Sequence, residues 1–538
     1  MRAMSSAERV RAWIADDVDP AAAAELETLA DAADRGESDA AAELTDRFAA
    51  PLTFGTAGLR GVVRAGPNGM NRTVVRRTSA GLATWLSEHV SGRAVVVIGH
   101  DARHGSAVFA DDSAGVFAAA GFDARLLPGV VPTPVLAFAV KALGADAGVM
   151  ITASHNPARD NGYKVYGADG AQIVPPTDGE IEAAIRALGP SRDIVLSDRF
   201  TRLDQGIVDS YVDAVAGLVS PPAAAIRIVH TAMHGVGTTV LARVFERAGY
   251  SRPISVPEQA EPDPDFPTVA FPNPEEKGAL DLALALAATE AADLVVASDP
   301  DADRCAIAVA FPSADGPRWR ALTGDELGAL LADHLMRSGH TGTYATTIVS
   351  STLLEKMTRR RGLPFVATLT GFKWITRAAA DLVFGYEEAL GYAVAPGLVR
   401  DKDGISAGLL AAELTAQLRA QNSSIPQRLE EIAAEFGRHT TGQISMRVDD
   451  LRRIGDTMAR LRAQPPIELQ GHSITVTDLS PGADVLTFDY DGGRVVVRPS
   501  GTEPKLKAYL EVVSSGDAAA AATELDRLRR EVSALLGV

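Results

Sequence analysis

An α/β chain of several domains, closing in a smaller α+β domain, is what this sequence predicts, and three observations predict it. At 538 residues the chain is far longer than one hydrophobic core supports, so three or four domains are expected. Short β-branched runs (Ala94-Val95-Val96-Val97-Ile98, Ala147 to Ile151, Ile226-Arg227-Ile228-Val229 and Leu294 to Ala297) alternate with helical stretches. That alternation is the pattern of βαβ units with mixed or parallel sheets. From about residue 440 the texture changes to two amphipathic helices, around Leu451 to Leu461 and Ala518 to Leu536, set between strands.

Taken in order, the first fifty residues are rich in Ala and Glu, with helix-like apolar spacing and no strand signal; they predict two helices packed outside the first domain. The runs up to Ile151 build that domain, 1–205, which ends after the polar stretch Ser191-Arg192-Asp193. A second domain, 206–322, holds a Pro-rich loop from Pro253 to Pro274 and the run Leu294 to Ala297. A third, 323–440, opens around Leu322-Thr323-Gly324-Asp325, and 441–538 is the α+β layer. No strong internal repeat is visible. Functional loops in such folds gather at strand ends.

Composition narrows the class. With 46% hydrophobic and 22% charged residues, the chain reads as soluble and globular. A formal charge of −17 argues against a nucleic-acid partner and requires any phosphate site to be locally basic. No apolar run reaches bilayer length, so no membrane partner is expected. The start, Met1-Arg2-Ala3-Met4-Ser5-Ser6, lacks a signal-peptide core, and a cytoplasmic enzyme is the expectation. Oligomeric state is not written in the composition. Cys305 is the only cysteine, which rules out an intrachain disulfide; its strand-like neighbours make it a small core residue.

Three segments carry chemistry. Thr152-Ala153-Ser154-His155-Asn156-Pro157 follows the apolar Val149-Met150-Ile151, so Ser154 stands at a strand tip; alone, it reads either as an ordinary turn or as a nucleophile. Leu294 to Ser298 runs straight into Asp299-Pro300-Asp301-Ala302-Asp303-Arg304. In extended chain, residues two apart share a face, so three carboxylates converge and repel unless a cation neutralises them. Hard oxygen ligands of this kind suit Mg²⁺. An EF-hand is excluded, because Arg304 stands where its glycine belongs and Ala310 where its glutamate belongs. Arg498-Pro499-Ser500-Gly501-Thr502-Glu503-Pro504-Lys505 follows Arg494-Val495-Val496-Val497 and offers a guanidinium, hydroxyls and an ammonium to an anion. His234-Gly235-Val236-Gly237 has Val240 where a dinucleotide fingerprint needs its third glycine, so a nicotinamide enzyme is not expected.

On these residues the chain resembles the α-D-phosphohexomutases, the family of phosphoglucomutases and phosphomannomutases. Matching pieces extend from Phe54-Gly55-Thr56-Ala57-Gly58-Leu59-Arg60-Gly61 to the Arg498 loop. The resemblance implies four domains, three of βαβ type with mixed sheets and a smaller α+β lid. It implies a phosphoserine at Ser154 that exchanges its phosphoryl group with a sugar phosphate through a bisphosphorylated sugar. Mg²⁺ on Asp299, Asp301, Asp303 and a Ser154 phosphate oxygen, and a sugar 1,6-bisphosphate as activator, follow from it.

For the remaining residues the same resemblance assigns roles. Arg304 holds either that phosphate or one of the three carboxylates. Either His155 or Lys164, in Asn161-Gly162-Tyr163-Lys164, acts as general base, Lys164 by way of a depressed pKa. Arg60 and Lys402 face the substrate. Glu387, in Gly385-Tyr386-Glu387-Glu388-Ala389-Leu390-Gly391-Tyr392, accepts sugar hydroxyls, and Thr370, Gly371 and Lys373 add a second sugar contact. Arg498, Ser500, Gly501, Thr502 and Lys505 bind the phosphate that is not reacting.

Much of the family has serine where Ala389 stands, and some members have histidine near Gly391 and Tyr392. The Glu-Glu-Ala-Leu-Gly-Tyr form and Leu369-Thr370-Gly371-Phe372-Lys373-Trp374 look more like the branch of phosphopentomutases and sugar-bisphosphate synthases. The main expectation is a sugar 1-phosphate to 6-phosphate mutase. A phosphopentomutase or bisphosphate synthase is the alternative; a Mg²⁺-dependent sugar phosphatase and a non-catalytic sugar-phosphate sensor are the remaining rivals.

Overall fold

The computed structural model describes residues 5–53, 58–448, 450, 452–500 and 505–537. The chain divides into two compact units, one made of residues up to Ile307 together with Ala395–Glu413, the other of Ala308–Val394 and Leu414–Val538.

The first unit opens with three helices, Ser6–Asp16, Pro20–Asp34 and Ser38–Arg47, where two were expected. The extra break falls at Gly36, which adopts a left-handed φ of 90° that interrupts an otherwise continuous Ala-rich run. Ser5 and Glu8 form a reciprocal cap on the first helix. Together these helices bury Val10, Leu26 and Phe48 against Ala65.

Beyond them lies a six-stranded sheet in the order Leu59–Val62, Asp160–Gly167, Ala147–Ile151, Val95–His100, Asp123–Val130, Thr201–Arg202. Its centre is parallel and its Asp160–Gly167 side antiparallel, so the sheet is mixed, as predicted. Ala147–Ile151 is buried along its whole length, which its uninterrupted apolar sequence requires. Antiparallel pairing of Met150 with Lys164 brings that lysine level with the strand end from which Ser154 emerges.

In the next sheet, Ile228–Thr231 lies between Ile254–Ser255 and Leu294–Ser298, parallel to both. Leu294–Ser298 is again fully buried and delivers Asp299 at its C-terminal end. The returning segment Ala395–Glu413 packs tightly here. A Cβ on Gly404 would stand 2.2 Å from the Arg304 carbonyl oxygen, so only glycine lets this segment approach the acid loop so closely.

The second unit contains a four-stranded sheet in the order Phe365–Thr368, Thr343–Thr347, Leu382–Glu387, Gly391–Ala393, parallel except for the last pair. Thr323 and Glu326 cap the helix Gly324–Arg337 beside it. The C-terminal part is an antiparallel six-stranded sheet with the helices Arg452–Ala463 and Ala518–Leu536 packed on it. Met458, Leu461, Phe488, Val495, Val497, Leu528 and Val532 form its core. This is the α+β layer expected from residue 440 onward. Among the described residues no helix is long and apolar enough to cross a membrane.

Candidate active site

Ser154 sits directly past the buried strand Ala147–Ile151, is 4% exposed, and takes a left-handed φ of 52°. That conformation is costly for a serine, and neighbours must hold it. Its backbone N–H donates to Thr152 Oγ1 at 2.9 Å. Arg103, from the turn after strand Val95–His100, donates to the backbone carbonyls of Ser154, Asn156, Pro157 and Asp160 at 2.5–3.1 Å. Arg60 Nη1 donates to Asn156 Oδ1 at 2.9 Å, which sets a further guanidinium beside the same loop.

The serine hydroxyl donates to Asp299 Oδ2 at 2.9 Å. The nucleophile candidate and the acid loop, 145 residues apart, are therefore in direct contact. Asp299, Asp301 and Asp303 are buried, and one carboxylate oxygen from each lies within 4.8 Å of the others. Their convergence arises differently from the strand alternation that the sequence suggested. The chain turns at Pro300-Asp301-Ala302, with Ala302 at a φ of 54°, and the three acids face inward from a turn rather than along a strand.

Thr133 adds a clamp that the sequence did not reveal: its N–H donates to the Asp301 carbonyl at 2.9 Å and its hydroxyl to Asp301 Oδ2 at 2.7 Å. Lys164 Nζ donates to Asp301 Oδ2 at 2.8 Å and Asp303 Oδ2 at 3.1 Å, and Lys402 Nζ lies 3.2 Å from Asp303 Oδ2. Tyr166 and Gln172 hold Asp401, and Tyr211 holds Asp403, so the residues on either side of Lys402 are pinned.

The electrostatics are uneven. Burial, reinforced by the charges of Asp301 and Asp303, pushes the Asp299 carboxyl well up. Burial acts the same way on Asp303, but Lys164, Lys402 and Arg304 outweigh it and bring its pKa down. Burial works to lower the Lys164 ammonium, yet Asp301 and Asp303 overcome it and raise the pKa. The depressed lysine anticipated for a general base is thus not what this arrangement makes, because two carboxylates lie within hydrogen-bonding distance. His155 behaves oppositely: burial, with Arg304 and Arg60 nearby, holds it well below its ordinary value and keeps it neutral. Its Nδ1 is 3.2 Å from Ser154 Oγ.

The donor set fits a hard divalent cation. Asp301 Oδ1 and Asp303 Oδ1 are buried and have no hydrogen-bond partner among the described residues, an arrangement that costs free energy unless a ligand fills it. Three convergent carboxylates, two of them with an open oxygen, are hard ligands of the kind that suits Mg²⁺. Arg304 donates its backbone N–H to Asp299 Oδ1 at 3.0 Å, its guanidinium reaches Glu275 at 3.3 Å, and its charge favours the ionised forms of Asp299 and Asp303.

In the second unit, Glu387 and Glu388 close strand Leu382–Glu387 and its turn. Thr347 and Ser350 hydroxyls donate to Glu388 Oε2 at 3.2 and 3.1 Å. Burial, with Glu387 and Asp325 close by, raises the Glu388 carboxyl to about 7. The sequence points to Glu387 of the two, whereas these hydroxyl bonds belong to its neighbour Glu388. Gly371, at a φ of 110°, caps the short helix Phe372–Ile375; Thr370 precedes it, and Lys373 Nζ lies 5.6 Å from the Trp374 ring centroid. Arg498 pairs with Lys507 in the C-terminal sheet and hydrogen bonds to Tyr509. Ser500 N–H donates to the Lys505 carbonyl at 2.8 Å. Gly501 and Thr502 lie outside the described residues, as do Phe54 to Ala57.

A buried serine hydrogen-bonded to one of three convergent acids, with guanidinium groups beside its loop and α/β strands delivering both, is an arrangement suited to phosphoryl transfer. Comparison with known proteins agrees along the chain. The α/β/α domains I, II and III of phosphoglucomutase/phosphomannomutase match residues 51–191, 209–310 and 323–436, and the C-terminal domain of the same family matches 444–528. The chain belongs to the phosphoglucomutase/phosphomannomutase family, whose members are phosphosugar mutases. A Haemophilus influenzae protein named "Probable phosphomannomutase" is 45% identical over 457 residues, covering 82% of this chain and 93% of that one. Human phosphopentomutase is 35% identical over 542 residues, covering 87% and 86%. A crystal structure of a phosphoglucomutase/phosphomannomutase family protein from Burkholderia thailandensis shares the fold, with a TM-score of 0.71 at 21% identity over 90% of this chain and 97% of that one.

Proposed function

We propose that this phosphosugar mutase moves a phosphoryl group between the anomeric and terminal hydroxyls of an aldose through Ser154. The observation that carries the reading is the 2.9 Å contact between Ser154 Oγ and Asp299 inside a buried acid cluster that retains open carboxylate oxygens. Phosphorylated Ser154 gives its phosphoryl group to one hydroxyl of a sugar monophosphate. The bisphosphorylated sugar turns over and returns its other phosphate to the serine oxygen. Asp299, Asp301 and Asp303 would hold Mg²⁺, which when bound neutralises charge on the transferring phosphoryl group.

With the Ser154 hydroxyl proton directed at Asp299, His155 Nδ1 is the donor to Ser154 Oγ, and the neutral ring keeps a lone pair on Nε2. That lone pair suits it to take the proton from the attacking hydroxyl. Lys164 and Lys402, both against Asp303, balance the acid charge, and Arg60 and Arg304 steady the phosphoryl oxygens. Glu387, with Thr370, Gly371 and Lys373, grips the sugar. Arg498, Ser500, Gly501, Thr502 and Lys505 hold the distal phosphate, and a sugar 1,6-bisphosphate primes the serine. The division at residues 205, 322 and 440 belongs to this reading; the four family matches fall inside those spans and support it.

A hexose phosphate is the main substrate in this reading. A pentose phosphate is favoured by one observation: Tyr392 is buried and turns its hydroxyl to the Gly324 carbonyl at 3.2 Å, and Ala389 has no polar side chain, so neither reaches toward a sugar. Likeness to human phosphopentomutase supports the same alternative. Phosphorus NMR of the protein with Mg²⁺, a trace of the matching bisphosphate and glucose, mannose or ribose 1-phosphate tests the reading. Conversion to the terminal phosphate with little free phosphate is expected for one sugar. Release of inorganic phosphate alone would make it a phosphatase, and no turnover of any of the three would leave a sensor.

A further inference from the structure

Ser154 keeps a strained backbone at the centre of the reaction, and what holds it there comes from two loops to which the mutase scheme gave no part. Arg103 is buried, with its side chain 1% exposed, and both terminal nitrogens are engaged by the nucleophile loop. Nη2 donates to the carbonyls of Ser154 and Asn156 at 2.5 and 2.6 Å, and Nη1 to those of Pro157 and Asp160 at 2.8 and 3.1 Å. A guanidinium fork is the side chain able to serve four carbonyls from one planar head.

The fork is itself fixed on two sides. Asp101 Oδ2 lies 3.3 Å from Arg103 Nε, while Asp101 Oδ1 accepts from the Arg103 N–H at 3.0 Å and from Ser106 Oγ at 2.6 Å. From the Pro-rich loop, the ring of Phe266 stacks on the guanidinium, 4.9 Å from Cζ to ring centroid. That loop is bound to the same turn again, by His104 Nε2 and Asp265 Oδ1 at 2.7 Å.

We propose that Arg103, covered by Phe266, is a positioning residue of the phosphoryl-transfer reaction: by tying the carbonyls from Ser154 to Asp160 it keeps the Ser154 oxygen aimed at Asp299. It touches no substrate, and it acts only through the backbone of the nucleophile loop. The Pro-rich loop thereby gains a role, that of keeping water and thermal motion away from the fork. Misplacing a reacting oxygen by about 1 Å costs on the order of 100-fold in rate, so the effect belongs in kcat. The inference rests on the mutase reading.

The test measures how fast a sugar 1,6-bisphosphate phosphorylates wild type, Arg103→Met, Arg103→Lys and Phe266→Ala, by intact mass after rapid mixing, alongside kcat and KM. Arg103→Met is expected to lose about 100-fold or more in charging rate and kcat, with KM within a few-fold of wild type. Arg103→Lys should recover part of that loss, since an ammonium still donates but not as a fork. Phe266→Ala should lose several-fold in kcat alone. Should Arg103→Met fail to fold, Arg103→Lys and Phe266→Ala decide the matter, and wild-type charging rates in both would overturn the inference. A wild type that charges, beside an Arg103→Met variant that charges equally fast or loses only in KM, overturns it while the mutase reading stands. A wild type that takes up no phosphate overturns that reading, and this inference with it.

Discussion

Two buried acidic centres in this protein, a trio of aspartates and a single glutamate, accommodate their charge in different ways. In the first unit, Asp299, Asp301 and Asp303 crowd together, the Asp299 carboxyl is pushed up while Lys164 and Lys402 hold Asp303 down, and two carboxylate oxygens have no hydrogen-bond partner among the described residues. In the other unit, Glu511 is just as buried but fully served: Ser351 Oγ donates at 2.5 Å, Thr352 N–H at 2.9 Å and His439 Nδ1 at 2.8 Å, with Arg494 Nε at 3.3 Å. Burial alone would raise Glu511; these partners bring it down to about 2. The contrast separates two uses of a buried charge. A satisfied carboxylate is a structural joint, here fastening the C-terminal sheet to the loop after strand Thr343–Thr347. An acid cluster with unpartnered oxygens is held at a cost that a bound cation would offset.

Breaking the aspartate centre should abolish chemistry and spare the fold. Ser154→Ala is expected to lower mutase turnover by at least about 10⁴-fold with an unchanged melting curve; residual turnover above that level would point to another nucleophile. Next in size, EDTA should remove activity and Mg²⁺ restore it, and saturating Mg²⁺ should stabilise the wild type by about 2–3 kcal/mol near 100 times its Kd. Asp301→Asn should lose that stabilisation, whereas Glu511→Gln should keep it. Equal Mg²⁺ responses in the two variants would erase the distinction between the centres.

The glutamate centre should fail in stability instead. Glu511 is held at about 2 against 4.5 for an unperturbed glutamate, which corresponds to about 3 kcal/mol. Because its pKa is depressed, that contribution is complete above pH 4.5 and is lost as pH falls toward 2. Denaturant titrations should show Glu511→Gln unfolding earlier at pH 7 by a similar amount, and the difference shrinking in acid.

Glu388 gives the smallest effect and the opposite sign. Raised to about 7 from 4.5, it favours the fold below pH 4.5, and that support fades as pH rises through 7. Being only half-buried, it should contribute about 1–2 kcal/mol, so Glu388→Gln is expected to be modestly more stable than wild type at pH 8 and no more stable at pH 4. A variant less stable at both would show that its bonds to Thr347 and Ser350 outweigh its charge.

Much of this was legible in the sequence where information is local. Ala147–Ile151 and Leu294–Ser298 are uninterrupted apolar runs, and they fold as fully buried strands that deliver Ser154 and Asp299 at their ends. The three aspartates were legible as a convergent group of acids, but not how they converge, since the turn at Ala302 depends on packing rather than on period. Arg103 was invisible because its four acceptors lie 51 to 57 residues along the chain. Thr133 was missed for the same reason, 168 residues from Asp301. Lys164 was read with the wrong shift because a lysine's pKa depends on which acids tertiary structure brings to it. The third N-terminal helix, Ser38–Arg47, went unseen although Gly36 is an ordinary helix-stop residue, because the Ala-rich stretch around it has continuous helix-like spacing.

The central claim is that one serine oxygen carries the phosphoryl group beside a cation-binding trio of acids. Intact mass spectrometry with peptide mapping, after incubation with a sugar 1,6-bisphosphate and Mg²⁺, tests it most directly. A gain of about 80 Da on Ser154, discharged by excess sugar monophosphate and absent in Asp301→Asn, is the predicted result. No gain, or a gain mapped to any other residue, would contradict it.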